Sequence, residues 1–75
     1  MHRSMPGETS AIVANGKRLE LNLPCQLTEF LMSSGWKPTQ VVVELNGEVI
    51  PRSNLAGIQL KAGDQLEVIV PVAGG

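Results

Sequence analysis

A chain of 75 residues, 43% hydrophobic and 17% charged, is long enough for one domain and too apolar to remain disordered. A formal net charge of -1, with six Lys and Arg residues scattered along the chain, leaves no basic stripe to neutralise a phosphate backbone and argues against nucleic acid as a partner. One cysteine, Cys25, and one histidine, His2, exclude an internal disulfide and the common zinc spacings, and fit a reducing cytoplasm.

Residues 1–10, with Pro6-Gly7 among small and polar residues, read as a flexible leader. They lack the apolar middle of a signal peptide, and no run in the chain approaches the roughly 20 apolar residues of a membrane span. Residues 11–70 read as the folded domain and 71–75 as a tail. Asn15-Gly16 lies between two short runs, the strongest short signal for a type I′ hairpin, and predicts strands over Ser10–Ala14 and Lys17–Leu23. In the second run Leu19, Leu21 and Leu23 alternate with Arg18, Glu20 and Asn22, the period of a half-buried strand. Pro24 ends it.

Leu27, Phe30 and Leu31 then fall at i, i+3 and i+4 and predict a short helix over Leu27–Ser34. Gly35 is placed for the left-handed cap, and Trp36 to fold back on the last turn. "VVVELNGEVI" turns Val41, Val43 and Leu45 to one face, reverses at Asn46-Gly47 and returns through Ile50. Pro51 stops the return. "RSNLAGIQLKAGD" reads as a connection anchored by Leu55, Ile58 and Leu60, with a Gly63-Asp64 turn. The last strand, Gln65–Val70, points Leu66, Val68 and Val70 inward and Ile69 outward. Two hairpins, one helix and a final strand can bury the helix only if the strands join into one mixed sheet with the helix across its face. This α+β order is that of a β-grasp, ubiquitin-like domain. The near-continuous apolar "LEVIVPV" would be its central strand, parallel to the first.

The inventory of side chains argues against catalysis. His2 sits in the leader, Cys25 has no nearby base, and the carboxylates are spread over turns and solvent faces without an acid/base pair. Cys25 reads as a half-buried filler, and neither Asn-Gly pair belongs to a phosphate loop. The terminus is left. Gly74 and Gly75 carry no side chain to obstruct a narrow channel. From Pro71 to Gly75 the extended chain spans at most roughly 17 Å, enough to carry the Gly75 carboxylate into another protein's active site. Val72 and Ala73, both apolar, could add contact area once inserted.

Three blocks give the chain a resemblance to the thiamine-biosynthesis sulfur carrier (ThiS) family, within the ubiquitin-like sulfur carriers. "IVANGKRLEL" resembles the family's opening hairpin, "ELNGEVIPR" its Asn-Gly turn followed by Pro-Arg, and "LKAGDQLEVIVPVAGG" its Gly-Asp turn, last strand and diglycine end. The last block is shared with the molybdopterin-synthase small subunits, whose branch also commonly has the proline of "PVAGG". The resemblance implies a covalent carrier, not an enzyme, with no stably bound cofactor. An adenylyltransferase of the ThiF type, related to ubiquitin-activating enzymes, would adenylate the Gly75 carboxylate with ATP. A cysteine desulfurase would supply persulfide sulfur, and a thiazole synthase of the ThiG type would take sulfur from the resulting thiocarboxylate. The resemblance makes Gly75 the reacting site and Pro71, Val72, Ala73 and Gly74 its tail, and places Arg52 in the Pro-Arg position, where it reads either as a partner contact or as a solvated surface arginine. Ile69 and Val70 join it as candidates for the partner face.

Other readings differ in what happens at one carboxylate. A molybdopterin-branch carrier would have the same chemistry and a different acceptor, and should lack "NGEVIPR". A ubiquitin-like modifier would form lysine conjugates that survive denaturation and reduction. A plain interaction domain would keep its function without Gly74 and Gly75.

Overall fold

Both Asn-Gly pairs make the expected tight turns: Asn15 and Gly16 have φ of 52° and 79°, Asn46 and Gly47 of 52° and 86°. These left-handed conformations give the reversal whose twist matches paired strands. The computed structural model of the chain describes residues 10–72. The first turn joins β1 (Ser10–Ala14) to β2 (Lys17–Leu21). A two-residue β3 (Cys25–Gln26) leads into helix α1 (Leu27–Ser33). The second turn joins β4 (Val42–Leu45) to β5 (Glu48–Ile50), and the chain closes with β6 (Gln59–Leu60) and β7 (Gln65–Ile69).

The main sheet has the order β2-β1-β7-β4-β5, with β7 at its centre. β7 runs parallel to β1, Val13 level with Gln65 and Ala14 with Leu66, and antiparallel to β4, from Leu45 opposite Leu66 to Val42 opposite Ile69. α1 covers one face. Its buried Leu27, Phe30 and Leu31 pack on Ile12 and Ala14 of β1, Val43 of β4, and Leu66 and Val68 of β7, with Val41, Leu55 and Leu60 closing the core. Seven residues are too few for a helix to hold in water alone, so this packing and its end contacts sustain it. At the start, Leu27 N–H donates to the Ile58 carbonyl (3.0 Å). At the end, Gly35 N–H donates to Met32 O (3.1 Å) and Trp36 N–H to Leu31 O (2.9 Å), with Gly35 at φ 91°: a Schellman cap. The Trp36 ring returns to within 6.4 Å of the Phe30 ring centroid, as the sequence predicts.

Several expectations need correction. The second strand stops at Leu21, not Leu23, because Asn22–Pro24 carry the chain off the main sheet into β3. β3 pairs with β6 in a separate two-stranded sheet, Cys25 opposite Leu60, where the sequence reading had only a connection. The rest of that connection is a 3-10 helix over Arg52–Gly57 that buries Leu55, and another 3-10 turn spans Pro38–Gln40. β1 begins at Ser10, one residue inside the stretch assigned to the leader; the other leader residues lie outside those described. Val70, expected inward, is 57% exposed. Pairing ends at Ile69, so the inward alternation of Leu66 and Val68 has no covered face to continue onto. β7 is also not buried on both faces: Gln65, Glu67 and Ile69 stay exposed on the side away from α1. Among the described residues no helix is long and apolar enough to cross a membrane.

Candidate functional site

The sheet determines where the tail leaves. On the β4 side the paired residues of β7 alternate, and after Ile69 the next rung would fall at position 71. Pro71 stands there without an N–H to donate. The central strand therefore ends in the middle of the sheet's end rather than at an edge. Val70 and Val72 continue past it, Val72 91% exposed. Ala73, Gly74 and Gly75, expected to complete the tail, lie outside the described residues.

Two of the expected partner contacts, Ile69 and Val70, are exposed at this exit. Arg52 belongs to the same end through the strand register. Ile50 is level with Val43 and Val43 with Val68, so the chain beyond Ile50, through Pro51 to the exposed Arg52, continues toward the end from which the tail departs. Two strand spacings separate β5 from β7, about 10 Å. The register also reveals residues that the sequence reading missed. Val42 lies opposite Ile69, and Val49 lies opposite Glu44, which lies opposite Glu67; these side chains share the face turned away from α1. Val49 is 61% exposed and Ile69 48%. The outer face thus carries Val42 and Ile69 in the row toward the tail, and Val49 in the row of two carboxylates set directly across from each other. The signal was present as alternation: in "VVV" and "EVI" the middle valines must face opposite to their neighbours.

Cys25, by contrast, is remote from this chemistry. It lies half-buried in the two-stranded sheet, and desolvation by burial, followed by the nearby Glu29 charge, raises its thiol above its ordinary value. The thiol stays protonated at neutral pH and is a poor nucleophile. The unfolded chain ionises first, so the thiol's contribution to stability is intact below the unfolded pKa and is lost as pH rises through the folded one. Cys25→Ser is expected to flatten an alkaline decline in melting temperature. At pH 7 the native thiol should react with a disulfide reagent more slowly than in the unfolded chain; equal rates would refute the assignment. Among the described residues no cluster of His, Cys, Asp and Glu could hold a metal ion.

Sheet order, parallel β1 and β7, and one covering helix define a β-grasp, ubiquitin-like domain with its carboxyl-terminal segment issuing from the central strand. Within that class, residues 6–75 match the ThiS family, and the chain belongs to it. The crystal structure of the thiamine biosynthesis protein ThiS from Geobacter metallireducens aligns with a TM-score of 0.74 at 31% identity, over 87% of this chain and 99% of that one. A solution structure of a thiamine biosynthesis protein from the same organism gives 0.70 at 31% identity, over 87% of each chain. A thiazole synthase of Paramagnetospirillum magneticum is 30% identical over 64 residues, which make up 85% of this chain and 20% of that protein. The chain therefore spans about a fifth of the length of that curated relative.

Proposed function

We propose that this protein is a sulfur carrier for assembly of the thiazole ring of thiamine, with Gly75 as the loaded residue. The observation that carries the reading is a diglycine sequence following an exposed, unpaired segment from the central strand of a ThiS-family domain. A carboxylate resists displacement because oxide is a poor leaving group. Attack of the Gly75 carboxylate on the α-phosphorus of ATP, with loss of pyrophosphate, gives an acyl-adenylate whose leaving group is AMP. The terminal sulfur of a persulfide then attacks the acyl carbon and expels AMP. A thiol cleaves the S–S bond of the acyl persulfide, leaving the thiocarboxylate and a disulfide. One difficult substitution becomes a series of easier ones.

The chain's part is to present the carboxylate; ATP is used by the activating partner, and no cofactor is held stably. That partner would be an adenylyltransferase of the ThiF type and the sulfur source a cysteine desulfurase, all in the cytoplasm. Arg52, Ile69 and Val70 would contact partners around the exit, with Pro71, Val72, Ala73 and Gly74 passing into the channel. A thiazole synthase of the ThiG type as acceptor draws support from the thiazole synthase that contains a stretch similar to this chain. Joining a carrier to its acceptor would convert their encounter into an intramolecular one. The test is the intact mass of the protein after incubation with the activating enzyme, ATP and a persulfide source. The expected result is a mass gain of sulfur replacing oxygen. No thiocarboxylate and no AMP adduct, with an enzyme competent on another carrier, would overturn the reading.

A further inference from the structure

Both Asn-Gly turns lie beside β7, and both asparagines grip it. At the start of the strand, Asn46 N–H donates to Gln65 O (2.7 Å) while Asn46 Oδ1 accepts from Gln65 N–H (2.8 Å). Its Nδ2 donates to Asp64 Oδ1 (3.1 Å). Asn15 acts further along. Its N–H donates to Leu66 O (2.8 Å), its Oδ1 accepts from Val68 N–H (2.8 Å) and its Nδ2 donates to Val68 O (3.3 Å).

The parallel ladder of Val13 with Gln65 and Ala14 with Leu66 would next offer Val68 a main-chain carbonyl and N–H. β1 cannot supply them, because it reverses at Asn15 with φ 52°. The carboxamide stands in for the missing peptide unit. The turn alone does not demand this residue, since Asp and Gly also accept positive φ. Only the amide offers both a donor and an acceptor; Asp can accept from Val68 N–H but cannot donate to its carbonyl, and Gly does neither.

We propose that Asn15 is a positioning residue for the carboxyl-terminal segment. Its carboxamide is the last rung on the β1 side of β7, as Ile69 opposite Val42 is the last on the β4 side. Val70 is in neither ladder. These two rungs fix where the strand ends and the line along which Val70 and Val72 leave the sheet. The consequence for catalysis rests on the reading that the Gly75 carboxylate must meet a fixed point in an activating enzyme, so that freedom gained by the segment has to be given up on binding.

The test compares Asn15→Gly with Asn46→Gly, since both retain turn geometry and each removes one side-chain grip on β7. The first readout uses the free protein: amide hydrogen exchange and 15N order parameters. Asn15→Gly is expected to speed Val68 exchange by about tenfold, the worth of a lost hydrogen bond, and to lower the order parameters of Ile69 and Val70. Asn46→Gly should act at Gln65 instead. The second readout is adenylation, well below both melting temperatures. Asn15→Gly should raise the KM for the carrier by about fivefold or more with little change in kcat, Asn15→Asp should fall between it and wild type, and Asn46→Gly should match wild type. Unchanged exchange at Val68 in Asn15→Gly would overturn the proposal, as would equal KM values in the two glycine variants. If wild type is not adenylated, the carrier reading fails, and the exchange measurement still decides whether Asn15 positions the strand.

Discussion

Removal of Gly75 is expected to slow thiocarboxylate formation by about 100-fold or more while leaving the melting temperature unchanged. The shortened chain still ends in a glycine carboxylate, so the loss comes from position. One extended residue is about 3.5 Å, and a misplacement of about 1 Å at a reacting centre can cost 100-fold. Appending one glycine after Gly75 moves the carboxylate the other way and should be similarly damaging. Stability should not follow, because the last paired residue of β7 is Ile69 and the core closes with Val68. Rates can be read from intact mass with time, beside thermal melts of the same samples. A shortened chain that loads at the wild-type rate would show that the position of the terminal carboxylate is not what the partner recognises.

What was legible in the sequence follows from the physics of each signal. The two turns could be read because Asn-Gly tolerates the positive φ that the reversal needs, and those angles are found at Asn15 and Asn46. The helix end could be read because Gly35 and Trp36 stand where a Schellman cap requires them. β3 and β6 were not legible: two residues each cannot display a period, and their pairing depends on Cys25 meeting Leu60 across the fold. The Arg52–Gly57 3-10 turn was missed for a similar reason, its one buried anchor, Leu55, being compatible with any loop. At the candidate site the sequence named candidates one by one but could not group them. Arg52 and Ile69 share an end, and Val42, Val49 and Ile69 a face, only once the β4 register with both neighbours is known. The side-chain grip of Asn15 on Val68 spans 53 positions and lies beyond any local pattern.

The alternation of β7 sets buried and exposed side chains next to each other within one strand. Leu66, 1% exposed, points into the core between β1 and β4, so Leu66→Ala loses burial and leaves a cavity that the two neighbouring strands hold open. Such truncations cost about 2–5 kcal/mol. A domain of this size has roughly 5–10 kcal/mol in total, and each kcal/mol moves its melting temperature by about 4–8 °C. A fall of about 8–40 °C is expected in a thermal melt. Ile69→Ala, three residues on and facing solvent, should change the melt by only a few degrees, since less area is lost and no cavity forms. Its effect should instead be on association with the activating enzyme, measured as a weaker Kd at a temperature where both variants are folded. A large melt shift for Ile69→Ala would mean that the outer face is covered in the protein in solution; unchanged binding would remove Ile69 from the partner surface. Either result would redirect the search for that surface to other residues around the exit, beginning with Arg52 and Val70.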